Sequence, residues 1–110
     1  MLEALWSVEF VSNVNDSGAG VVVLETGRIL GGDSAYYYVG SFRVENGTMQ
    51  ASVKVTHFAG QPNSIFGPLR QFTLRLAGTP AQQQFMLHGD VVENPSLKIG
   101  IRLSRRAELP

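Results

Sequence analysis

The chain has 110 residues, nine basic and nine acidic side chains, and no cysteine. That length allows one domain around a single modest core. The balanced charge supplies no field for direct contact with nucleic acid, and the missing cysteines exclude disulfides, thiol nucleophiles and thiolate metal sites.

The opening residues, MLEALWSVEF, carry Glu3 where a secretory leader would carry positive charge, which predicts a cytoplasmic chain. Trp6, Val8 and Phe10 alternate with Ser7 and Glu9, the period of a strand with one buried face, so a first strand runs from Leu5 to Ser12. Asn13 to Gly20 (NVNDSGAG) is rich in turn residues and reads as a connection. A second strand follows over Val21 to Glu25. Thr26-Gly27 turns the chain into Arg28-Ile29-Leu30, and Gly31-Gly32-Asp33 is expected to break that strand with a bulge or corner. A tyrosine-bearing strand then runs from Ala35 to Val44. Asn46-Gly47 is the strongest hairpin signal in the chain and returns it along Met49, Ala51, Val53 and Val55.

Ala59 to Arg70 (AGQPNSIFGPLR) has two prolines and two glycines and cannot hold a continuous ladder. Its Ile65-Phe66 pair reads either as a plug at an opening or as one helical turn. Three more alternating stretches close the chain, around Phe72 to Leu76, Phe85 to Leu87, and Leu97 to Ser104. No apolar run approaches the roughly 20 residues of a membrane-spanning helix, so no span is expected. Seven or eight short strands joined by short turns predict an all-β fold, a small antiparallel up-and-down barrel in which closure removes the sheet edges. At eight strands the interior is either filled by side chains or shaped around one small ligand.

Tyr36, Tyr37 and Tyr38 cannot share a face of one strand. Either Tyr36 and Tyr38 or Tyr37 and Val39 point outward. Three roles stay open for the outward set: a ladder packed within the barrel, a dimer or partner surface, and a ligand contact. The expected dimer or partner surface comprises Tyr36, Tyr38, Phe42, Glu45 and Asn46, and Ile65 and Phe66 are the candidates for a cavity mouth.

No catalytic set assembles from the sequence. His57 and His88 are the only histidines, and with Asp33 and Asp90 they would form a metal site only by converging in space. Catalysis, metal and cofactor are therefore not expected. Gly31-Gly32-Asp33-Ser34 precedes a strand and lacks a lysine, unlike a phosphate-binding loop; Asp33 reads as a turn residue whose carboxylate accepts from backbone N–H groups. Arg102, Arg105 and Arg106 read as a solvated strand end.

LWSVEFVSN, a following turn with Gly18 or Gly20, and VVLETGRILGGDSAYYYVGSF together resemble the negative regulators of type III secretion, the GrlR-like proteins. The likeness is clear over about half the chain and looser through His57 and the Pro62 loop. It implies an eight-stranded, lipocalin-like barrel with an apolar cavity, a homodimer, and repression by sequestering a transcription activator. In the better-known members an acidic run after the tyrosine-type strand contacts the activator. Here that place holds Arg43-Val44-Glu45-Asn46-Gly47, with one acid. The expected function is thus a non-enzymatic regulator acting by protein contact. The alternative is a carrier of a lipid or other small apolar ligand, with the Ile65-Phe66 loop gating the barrel.

Overall fold

The alternation of apolar and polar side chains is realised as eight strands: β1 Ala4–Ser12, β2 Ser17–Glu25, β3 Arg28–Gly32, β4 Tyr36–Glu45, β5 Thr48–His57, β6 Gln71–Gly78, β7 Gln84–Val91 and β8 Asn94–Ala107. The computed structural model describes residues 1–110 and holds no helix long and apolar enough to cross a membrane. Each strand pairs antiparallel with its neighbour in sequence, and β8 pairs with β1 to close the barrel. The fold is therefore the all-β, up-and-down barrel that the strand spacing predicts. Closure leaves no strand edge to be capped.

The register follows the buried face. In β5, Met49, Ala51, Val53 and Val55 are buried while Gln50, Ser52 and Lys54 are exposed. A one-residue slip would exchange the two sets, so burial fixes the pairing. Two tight hairpins hold it at the ends. Asn46-Gly47 has φ values of 53° and 79°, and Thr26-Gly27 has 52° and 76°, the paired left-handed values of a type I′ turn.

Two stretches depart from expectation. Ser17 to Gly20 is strand, not turn: Gly18 pairs with Phe10, and Gly20 pairs with Val8. Their glycines face inward and leave room for larger neighbours. A Cβ on Gly18 would lie 2.7 Å from the Phe10 ring, and one on Gly20 would lie 2.8 Å from the Tyr38 hydroxyl. Likewise Gly31 and Gly32 stay in the β3 ladder opposite Tyr38 and Tyr37, and the corner falls one residue later at Asp33.

One end of the barrel is sealed by Trp6, which has no exposed surface. Phe85 meets its ring edge-on at 5.1 Å, and the Arg105 guanidinium lies over it at 5.0 Å. The Trp6 Nε1–H donates to the Leu2 carbonyl at 2.8 Å. The C-terminal arginines are thus partly absorbed by the fold. Arg105 also donates to the Gln82 carbonyl at 2.7 Å, Arg106 to the Ser7 hydroxyl at 2.7 Å, and Arg102 to Glu9 at 3.0 Å.

Candidate functional site

At the other end the turns after β1, β3 and β5 surround an opening. Below them lies a cavity of about 310 Å³, with 21 hydrophobic residues among the 27 that line it. Its deep wall is apolar and includes Leu24, Val53, Leu74, Leu87 and Ile101. Its polar side chains, Ser17, Asp33, Ser34, Asn63 and Ser64, all belong to the open end. The site is a blind apolar well with a polar rim.

The rim is built on Asp33. One carboxylate oxygen accepts from the backbone N–H groups of Ala35 at 2.9 Å and Tyr36 at 2.8 Å, and the other accepts from the Tyr38 hydroxyl. The turn role read for Asp33 is what its geometry provides. The contact to Tyr38 has no counterpart in the sequence reading. Burial raises the Tyr38 pKa far above its ordinary value, and the hydrogen bond to Asp33 and its charge add to that. Burial raises Tyr36 as well, with Ser64 pulling against it and Asp33 adding. The Tyr36 hydroxyl donates to the Leu69 carbonyl at 2.5 Å.

The segment from Phe58 to Arg70 lies across the opening and forms no helical turn. Ile65 is buried, and both Ile65 and Phe66 line the cavity. Ser12, a buried polar residue at the end of β1, donates its hydroxyl to the Ile65 carbonyl at 2.8 Å. Phe66 meets Phe72 edge-on at 5.5 Å. The loop is thus pinned to the barrel at two points, by Ser12 on β1 and Tyr36 on β4.

Tyr36 and Tyr38 do not form an exposed pair. They are 3% and 8% exposed and point into the barrel, which corrects their assignment to an outer surface. Phe42 has the same inward parity and is half-buried against the core. The physical reason is the β4 register: Gly20 gives Tyr38 its space, and Phe72 lies beside Tyr36 with ring centroids 6.3 Å apart. Tyr37 and Val39 take the outside, at 45% and 49% exposure.

Around them an uncharged apolar face runs across three strands. Val23, Leu30 and Val39 form one cross-strand row, while Val21 and Tyr37 flank Gly32 in the next. Phe58 extends it, with its ring centroid 6.3 Å from that of Tyr37. Charge appears only at the border, where Arg28 pairs with Glu25 at 3.4 Å and Lys54 lies opposite Val39. The alternation through Val21, Val23 and Leu30 carries this face in the sequence, but the outward residues emerge only once the inward ones are known. Glu45 and Asn46 sit apart, exposed in the β4–β5 hairpin, where Arg43 pairs with Glu45 at 2.9 Å.

Neither histidine lines the well: His57 packs behind Tyr36 with ring centroids 5.5 Å apart and its Nε2 lies 2.8 Å from the Gly60 carbonyl, and His88 is exposed on β7. No group of three or more His, Cys, Asp or Glu side chains converges as a metal site.

Together these features define a closed eight-stranded antiparallel barrel with an apolar well open at one end. No family model matches the chain, and no curated protein matches it. Among solved structures it is similar to a redesigned beta barrel, with a TM-score of 0.50 over 96% of this chain and 91% of that one, at 12% identity. That likeness shows the fold alone.

Proposed function

We propose that this chain is a non-enzymatic, cytoplasmic regulatory protein that works as a homodimer and sequesters a protein partner such as a transcription activator. The face of β2, β3 and β4 is its dimer seam. The observation that carries this reading is the uncharged patch of Val21, Leu30, Tyr37, Val39 and Phe58, each between 45% and 56% exposed. Together they present on the order of 400 Å² of apolar surface, within the range of the largest patches that monomers expose. A standard interface covers about 800 Å² per partner with somewhat more than half of it apolar, so the patch supplies most of that share.

The resemblance to the negative regulators of type III secretion supports the sequestering role. The β4–β5 hairpin is a poor acidic contact here, because Arg43 offsets its one acid. The test is affinity capture from the source cell with the wild type and with Leu30→Lys. The wild type is expected to retain a differently tagged copy of itself and a DNA-binding activator, and the variant to lose its copy. Recovery of neither by the wild type overturns the proposal.

The well favours a second reading, a carrier of a small apolar ligand. At about 310 Å³ it falls at the lower end of small-molecule sites. Native mass spectrometry of the purified protein is expected to show a bound molecule under that reading and only the mass of the protein itself, as one chain or two, otherwise.

A further inference from the structure

The segregation of polarity in the well, together with the sign of its one charge, says more about a ligand than its volume does. Five polar side chains ring the open end, and the deep wall offers no hydrogen-bonding side chain at all. A ligand with a polar group at its inner end would leave that group unpaired in apolar surroundings. The shape therefore suits an amphiphile with its tail inward and its head at the rim. At the packing density of an organic liquid, the volume holds on the order of ten non-hydrogen atoms.

The head group is constrained by Asp33. It is the only lining residue with a formal charge, for no Lys, Arg or His reaches the well. None of the ion pairs of the chain includes it. Two backbone N–H groups and the Tyr38 hydroxyl hold the carboxylate in place. They take three of its roughly four acceptor positions, leaving one for a donor. A carboxylate head at this rim would meet a fixed like charge in a partly desolvated setting, while Arg70, whose charge is felt at Tyr36, lies outside the lining.

We propose, resting on the carrier reading of the well, that the barrel binds a single-chain amphiphile whose head donates a hydrogen bond and carries no negative charge. The chemical class is that of medium-chain alcohols, amides and amines. Asp33 is the selecting residue, and free fatty acids are rejected.

The test is competition against 1-aminonaphthalene, an uncharged fluorophore of a size that the well admits, by 1-decanol, decylammonium and decanoate at neutral pH. These share a chain and differ in the head. Saturable binding of the fluorophore, reversed by decanol and decylammonium at concentrations at least tenfold below decanoate, is the expected result. Asp33→Asn should shrink that gap to less than threefold. Decanoate competing as well as decylammonium overturns the head-group assignment while leaving the carrier reading standing. Absence of fluorophore binding overturns both. The comparison of the three competitors on the wild type stands even where Asp33→Asn fails to fold.

Discussion

Three consecutive tyrosines divide their work by parity. Tyr37 faces outward, while Tyr36 and Tyr38 face inward and end on hydrogen bonds at the rim of the well. Because burial raises the Tyr38 pKa in the folded chain above its ordinary 10.0, the unfolded chain ionises first as pH rises. Tyr38 therefore stabilises the fold fully below about pH 10, and that contribution is lost above it at up to about 1.4 kcal/mol per pH unit. Tyr36 acts in the same direction. Urea unfolding followed from pH 9 upward is expected to show a falling midpoint, and Tyr38→Phe to flatten that fall. An equally steep fall in the variant would contradict the assignment.

Glycine offers a second comparison at this scale. A Cβ on Gly20 meets both the Tyr38 hydroxyl and the Gly32 carbonyl at 2.8 Å, whereas one on Gly100 meets nothing nearer than 3.4 Å. Gly20→Ala is expected to destabilise the barrel by about 1–3 kcal/mol. Gly100→Ala should stay within about 0.5 kcal/mol. Equal urea midpoints for the two variants would count against the packing of Tyr38 over Gly20. The sequence could not show this contact: SGAG has the composition of a turn, and its glycines serve as space for Phe10 and Tyr38 only because β1 and β4 bring those rings across.

Among the elements, the strands were legible and the connections less so. The two-residue period locates each strand over the part whose inner face is buried and apolar, which is why Ser17 to Gly20 of β2 escapes it, and the Asn46-Gly47 and Thr26-Gly27 dipeptides specify their turns chemically. The Phe58 to Arg70 segment has no such period. Its position depends on long-range bonds from Ser12 and Tyr36, which local sequence does not encode. Ser12→Ala removes the buried bond to the Ile65 carbonyl and is expected to cost about 1–2 kcal/mol. Amide hydrogen exchange should then accelerate in the loop while β5 and β6 stay protected. Unchanged loop exchange would show that Ser12 does not hold it.

For the molecule as a whole, closure and sidedness have different origins. Closure follows from eight strands whose apolar faces need one shared interior, so it can be read from pattern alone. Which outer face is apolar depends on register, and that is why the surface shifts from Tyr36 and Tyr38 to Tyr37, Val39 and Leu30. A face without charge on β2 to β4, bordered by the Glu25–Arg28 pair and Lys54, has the layout of an interface core with a polar rim.

The central claim, that this face joins two copies, is tested most directly by sedimentation equilibrium of the wild type and Leu30→Lys at micromolar concentration. The account predicts twice the 12.0 kDa chain mass for the wild type and a single chain mass for the variant, with unchanged circular dichroism. A wild type that sediments as one chain across that range would contradict it.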